Sequence, residues 1–108
     1  MNPPKLSSLL ERLDLEPVSE RVYRGTTPND GRPRVFGGLV AAQALVAASR
    51  TVTGKLPHSL HSYFLLAGDP TRPIDYEVDE IRSGRSFATR RVVARQGSDA
   101  IFELSCSF

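Results

Sequence analysis

The stretch that decides the fold is VFGGLVAAQALVAASRTV, residues 35–52. From Leu39 to Ala48 the only polar side chain is that of Gln43, and most of the others are small. Ala and Leu favour helix. A surface helix keeps one polar face, whereas a helix that is apolar all round is buried on most sides. The run is too short to cross a bilayer. Phe36, Gly37 and Gly38 stand directly before it, and glycine there lets backbone come close to whatever lies at the helix N-terminus. The stretch predicts a central helix over about residues 38–52, wrapped by a sheet and open at one polar end. An ordinary core helix after a glycine turn is the competing reading.

Downstream the period changes from helical to alternating. In HSLHSYFLL, residues 58–66, Leu60, Phe64 and Leu66 share one face with His58 and Ser62, while His61, Tyr63 and Leu65 take the other. Residues 67–73 read as a turn. Residues 74–82 alternate again, with Ile74, Tyr76 and Val78 opposite Asp75, Glu77 and Asp79. Residues 86–95 form a third strand, residues 96–99 a hairpin turn and residues 100–108 a fourth strand. The apolar face of that fourth strand is Ala100, Phe102, Leu104, Cys106 and Phe108. Three consecutive strands with short connections make an antiparallel meander, and the class is α+β. Upstream, residues 25–34 are a Gly- and Pro-rich loop and residues 18–24 one short strand. Ser7 or Ser8 caps a short amphipathic helix carrying Leu9, Leu10 and Leu13. Leu39, Ala41, Ala44, Leu45, Ala48, Phe64, Phe102 and Leu104 are expected to be buried.

The totals exclude several classes. A chain of 108 residues reads as a single domain, residues 1–108. A net charge of +2, with no basic run interleaved with aromatics, does not suit nucleic acid. The N-terminal residues lack the apolar core of a signal peptide, and no run suits a membrane span, so the expected setting is cytoplasmic. One cysteine, Cys106, cannot form an internal disulfide, and two histidines cannot supply a structural zinc site. No metal and no cofactor is expected.

An antiparallel sheet curled round one alanine-rich helix describes the hotdog fold. The chain resembles the N-terminal half of the bacterial acyl-CoA thioesterase II family, which carries two hotdog domains in one polypeptide. Four segments carry the resemblance: Val22-Tyr23-Arg24-Gly25; Val35-Phe36-Gly37-Gly38 with Gln43-Ala44-Leu45; residues 58–65, HSLHSYFL; and residues 84–91, GRSFATRR. The histidine-bearing strand is the most specific of them. The resemblance implies hydrolysis of acyl-CoA to free acid and CoA, at a site formed between two hotdog units. It places the family's Asp, Thr and Gln catalytic group in the second domain, outside these residues.

Thioester hydrolysis needs a group that polarises the carbonyl, a base or nucleophile, and a grip on the coenzyme phosphates. By resemblance, the first falls to backbone N–H groups of Gly37, Gly38 and Leu39, where free amides and the helix dipole favour negative charge. Single-domain hotdog thioesterases often place an acid seven residues after the second glycine, and here that position is Leu45. The remaining acid–base candidate is His58, since neutral imidazole accepts a proton near pH 7. A strand-end histidine bonded to backbone is the plainer reading. Gln43 either orients a water or bridges to the sheet. Arg82, Arg85, Arg90 and Arg91 cluster round the turn at residues 83–87, and arginine forks bind phosphate well; a solvated strand end is the alternative. Cys106 alternates with core residues and reads as an inert thiol.

The candidate catalytic set is therefore His58, Gln43 and Gly38. The substrate-binding set is Phe36, Gly37, Gly38, Gly84, Arg85, Ser86, Phe87 and Arg90, with the two sets expected to line one groove. Two function classes fit: an acyl-CoA thioesterase working as a homodimer or higher homo-oligomer, or a non-catalytic acyl-CoA-binding or structural hotdog half that needs a separate catalytic partner.

Overall fold

The computed structural model describes residues 6–108. In chain order it contains α1 (Leu6–Leu13), β1 (Glu16–Ser19), β2 (Val22–Gly25), α2 (Gly37–Ser49), β3 (Ser59–Phe64), β4 (Ile74–Ser83), β5 (Ala88–Gln96) and β6 (Asp99–Ser107). The strands form one antiparallel sheet in the order β1-β2-β4-β5-β6-β3. α2 packs across β2, β4, β5 and β6 on one face. This is the expected α+β hotdog arrangement.

Period-two alternation builds the sheet side of the core. Ile74, Tyr76 and Val78 of β4, Val92 and Ala94 of β5, and Phe102, Leu104 and Cys106 of β6 all turn inward and are buried. Leu39, Val40, Gln43, Ala44, Ala47 and Ala48 meet them from α2. The small alanines bring the helix axis close to the sheet, and each large apolar side chain so buried contributes about 1.5–3 kcal/mol. The opposite sheet face is polar. Arg24 pairs with Asp75 at 2.7 Å, Arg95 with Glu77 at 2.8 Å and Arg91 with Glu103 at 3.0 Å. Such half-exposed pairs hold register more than they add stability.

Five expectations need correction. Ser7 and Ser8 lie inside α1, whose described residues already begin at Leu6, so neither is its cap. The single strand over residues 18–24 is a hairpin, β1 and β2, turning at Glu20-Arg21 with Arg21 at φ 61°. α2 closes at Ser49, because the Thr51 N–H and hydroxyl both turn back to the Ala48 carbonyl and end the helical ladder. Ala41 and Leu45 are half-buried, since they lie on the flank of α2 away from the sheet. Phe64 is 62% exposed, because β3 is the outermost strand and no other strand among the described residues pairs on its far side.

The two sheet edges differ. β1 has four residues, contains Pro17 and is irregular between Pro17 and Ser19, features that discourage pairing with another strand. β3 has six residues in unbroken register with β6 and no proline, and it exposes Leu60, Tyr63 and Phe64.

Candidate active site

The N-terminus of α2 is built by its flanking aromatics. Phe36 occupies the cap position in extended conformation, and among the described residues no side chain caps the helix. The N–H groups of Leu39 and Val40 both turn to the Phe36 carbonyl. That takes Leu39 out of the donor set and leaves Gly37 and Gly38 as the foremost amides. A Cβ on Gly37 would stand 2.8 Å from Phe64 Cε1, and one on Gly38 would stand 2.7 Å from Phe36 Cε2. The two glycines thus let two phenyl rings close over the first turn. Beside them lies a groove of about 340 Å³, lined by Arg34, Val35, Gly37 and the Phe64–Gly68 segment. It is mostly apolar, with one guanidinium. The Val35 N–H donates to the Gly68 carbonyl at 3.0 Å and closes the groove floor.

The other expected site residues collect at the opposite end of β3. The His58 N–H donates to the Ser107 carbonyl at 3.0 Å, and its exposed ring meets Phe87 edge-on at 5.6 Å. The Phe87 carbonyl accepts from the Gly84 N–H at 2.8 Å, closing the turn that carries Arg85 and Ser86. Arg82, Arg85 and Ser86 are exposed, and among the described residues no carboxylate pairs with either arginine. β3 separates His58 from Phe64, and six residues of strand span roughly 20 Å. The single groove expected to hold Gly37, Gly38, His58 and the turn at residues 84–87 is, within one chain, two separate clusters. Both lie on the helix side of the sheet, since Leu60, Ser62 and Phe64 pair with the inward-facing Cys106, Leu104 and Phe102.

Two residues of the expected set have no free polar atoms for a ligand. Gln43 is fully buried; its amide donates to the Arg12 carbonyl at 2.9 Å and the Thr26 carbonyl at 3.0 Å, and its oxygen accepts from the Tyr76 hydroxyl at 2.6 Å. It is the bridge between helix, loop and sheet, and its assignment as catalytic is withdrawn. Arg90 is 3% exposed and its guanidinium is spent on Thr51, Arg82, Ser83 and Thr89. Its assignment as a direct phosphate ligand is withdrawn as well. Alternation in Ala88, Arg90, Val92 and Ala94 was the available signal that this arginine points inward. Cys106 is a buried free thiol whose pKa burial pushes up, the neighbouring Arg90 charge opposing only in part. It is a poor nucleophile. Sequence reasoning missed Arg34, and it placed Phe64 in the core instead of at the groove.

Residues 25–108 match the family model described as the acyl-CoA thioesterase N-terminal domain. The chain belongs to that family. It is 47% identical over 100 residues to acyl-coenzyme A thioesterase 8 of Mus musculus, covering 89% of this chain and 31% of that protein. It is 39% identical over 104 residues to acyl-CoA thioesterase 2 of Haemophilus influenzae, covering 95% of this chain and 36% of that protein. A solved structure of a tesB protein of Mycobacterium avium subs paratuberculosis superposes with a TM-score of 0.93 at 42% identity, over 97% of this chain and 42% of that one.

The chain spans about a third of the length of these curated relatives, 31% and 36%. This acyl-CoA thioesterase N-terminal domain has the α2 terminus and the apolar groove at one end of β3 and the basic turn at the other. It places no carboxylate at the single-domain acid position, because Leu45 is apolar and half-buried.

Proposed function

We propose that this chain forms half of an acyl-CoA thioesterase site and hydrolyses acyl-CoA to free acid and CoA once a second hotdog unit pairs with β3. The observation that carries the reading is the separation of the two clusters to opposite ends of one free edge strand. If two copies pair antiparallel along β3 about a two-fold axis near His61, residue 58 of one faces residue 64 of the other. The His58–Phe87 end of one copy then lies beside the Gly37–Phe64 end of its partner. Each of the two resulting sites has amides, a groove, an imidazole and free arginines.

In that composite site the acyl chain follows Phe64, Leu65 and Leu66 into the groove, and the phosphates reach Arg82 and Arg85. Water adds to the thioester carbonyl carbon while His58 takes its proton. The carbonyl oxygen gains negative charge facing the amides of Gly37 and Gly38, with the helix dipole behind them. Collapse of the tetrahedral centre breaks the C–S bond, and the imidazolium returns the proton to the departing thiolate of CoA. A cytoplasmic setting belongs to the same proposal, since Cys106 is a free thiol of the kind a reducing compartment keeps.

The binding-only alternative draws on Leu45, which leaves the helix without an acid. One experiment separates the two. Purified protein of light-scattering-defined mass is assayed for thiol release from acyl-CoAs of several lengths, with calorimetric binding in parallel. Turnover by the dimer that disappears in His58→Ala is the expected result. Binding without thiol release would sink catalysis and leave the binding half standing.

A further inference from the structure

Arg90 places a full positive charge inside the molecule, and its one ion-pair partner among the described residues stands at the edge of reach, beyond hydrogen-bond distance. The nearest carboxylate oxygen, on Glu80, is 3.9 Å away. Taking a cation out of water costs several kcal/mol unless hydrogen bonds replace its hydration. Here all five guanidinium N–H groups are used. Nε donates to Thr51 Oγ1 at 2.7 Å, and Nη1 to the carbonyls of Arg82 at 2.8 Å and Thr89 at 3.1 Å. Nη2 donates to the Thr51 carbonyl at 3.1 Å and to Ser83 Oγ at 2.9 Å.

Apart from the carbonyl of the adjacent Thr89, the partners fall into two groups. Thr51 lies just past the C-terminus of α2, where unpaired carbonyls and the negative end of the dipole favour a cation. Arg82 and Ser83 are the last two residues of β4, reached after an irregularity in its pairing with β5 between Glu80 and Arg82. A strand end that follows a bulge is weakly specified by its ladder alone. The Arg90 fork supplies the missing constraint by tying that end to the helix. The tight turn beyond it follows: the Gly84 N–H bonds to the Phe87 carbonyl, and a Cβ on Gly84 would stand 2.9 Å from that oxygen.

We infer that Arg90 is a positioning residue: it locks the turn at residues 83–87 against the end of α2, so that Arg82 and Arg85 are held outward as a phosphate-binding pair and Phe87 is held against His58. The ligand part rests on the acyl-CoA reading above; the locking does not. Lysine cannot substitute, because a point charge with three donors cannot span both anchor groups.

Two readouts on the 108-residue chain test this, one needing no ligand. Amide hydrogen exchange reports the Gly84 N–H, and calorimetry reports binding of adenosine 3′,5′-bisphosphate, a probe carrying the coenzyme's 3′-phosphate. In Arg90→Lys, Gly84 exchange is expected to quicken about tenfold and probe affinity to fall about tenfold, with the amides of β5 and β6 unchanged. Ser83→Ala, which removes a single contact and keeps the fold should Arg90→Lys not, is expected to move both readouts in the same direction by less. An Arg82→Ala, Arg85→Ala double variant should lose the probe while Gly84 exchange stays as in the wild type. Unchanged Gly84 exchange in both Arg90→Lys and Ser83→Ala overturns the locking. Faster exchange with unchanged probe affinity overturns the role toward the ligand. Failure of the wild type to bind the probe overturns the ligand part together with the coenzyme reading, and the exchange data still decide the locking.

Discussion

The Tyr76 phenol donates to the Gln43 side-chain oxygen at 2.6 Å, and both residues are wholly buried. Burial pushes the Tyr76 pKa far above the ordinary phenol value, so the hydroxyl stays a donor. The Gln43 amide protons reach two backbone carbonyls, that of Arg12 in α1 and that of Thr26 in the β2–α2 loop. Gln43→Leu keeps the volume but strips partners from the Tyr76 hydroxyl and from the carbonyls of Arg12 and Thr26. The expected loss of stability is about 3 kcal/mol, since each buried polar group left unpaired costs roughly 1–3 kcal/mol. Tyr76→Phe orphans only the Gln43 oxygen and should cost about half as much. Urea denaturation of the two single variants and the double variant checks both values and their coupling.

Much of this architecture could be read locally. The meander β4–β5–β6 shows in the alternation of residues 74–82 and 100–108, and α2 in its unbroken small apolar run. The hairpin at Glu20-Arg21 could not, because its left-handed turn residue is an arginine, and only Gly or Asn there would have signalled it. Exposure of Phe64 was hidden for a different reason. Alternation correctly aims it inward, but whether an inward residue is covered depends on which strand ends the sheet, and that is a long-range fact. The site was legible in composition and not in placement. FGG, His58 and GRSF are all present, yet strand length alone sets about 20 Å between the two groups.

Gly37→Ala should separate stability from activity. Alanine in a helix is about 1 kcal/mol better than glycine, and the ring its Cβ would meet belongs to the exposed Phe64, which can swing aside. Thermal stability should therefore hold or rise slightly. Turnover should fall about tenfold, because the displaced ring rebuilds the groove mouth next to the amides. Gly68→Ala is the contrast. Its Cβ would stand 2.6 Å from Val35 Cγ2 in a buried position, so the variant should lose stability. Melting curves and thiol-release rates on the same samples read both effects.

The acid limb of the stability curve has a named origin. The Arg91 hydrogen bond and charge hold the Glu103 carboxyl below its usual value. The Thr71 hydroxyl and N–H do the same for Asp69. Groups depressed in the folded state bind fewer protons there than in the unfolded chain, so stability rises with pH through that window. Their contribution is present above the ordinary carboxylate range near about 4 and is lost as pH falls through the folded values. Melting temperature should be flat from about pH 8 to 6 and drop below about pH 4. Glu103→Gln should shallow that drop. An identical acid limb in the variant would remove Glu103 from the account.

The free edge of β3 makes the sharpest prediction about assembly. Leu60, Tyr63 and Phe64 are each more than half exposed, and Leu65 and Leu66 continue the apolar surface beyond the strand. The other edge, β1, is short, carries Pro17 and is irregular. If the composite site is right, two copies join along β3, and a charge placed there must separate them. Leu60→Lys is expected to shift the dimer dissociation constant by at least about a hundredfold, since burying an unpaired ammonium at a seam costs several kcal/mol. Val18→Lys, on the opposite edge of the sheet, should leave the dimer intact. Light scattering after size-exclusion chromatography reads the mass of each. The monomeric Leu60→Lys protein should also lose thioester turnover, while keeping its melting temperature within a few degrees. A monomer with undiminished turnover would show that one chain suffices, and would end the argument that each site draws on both ends of β3.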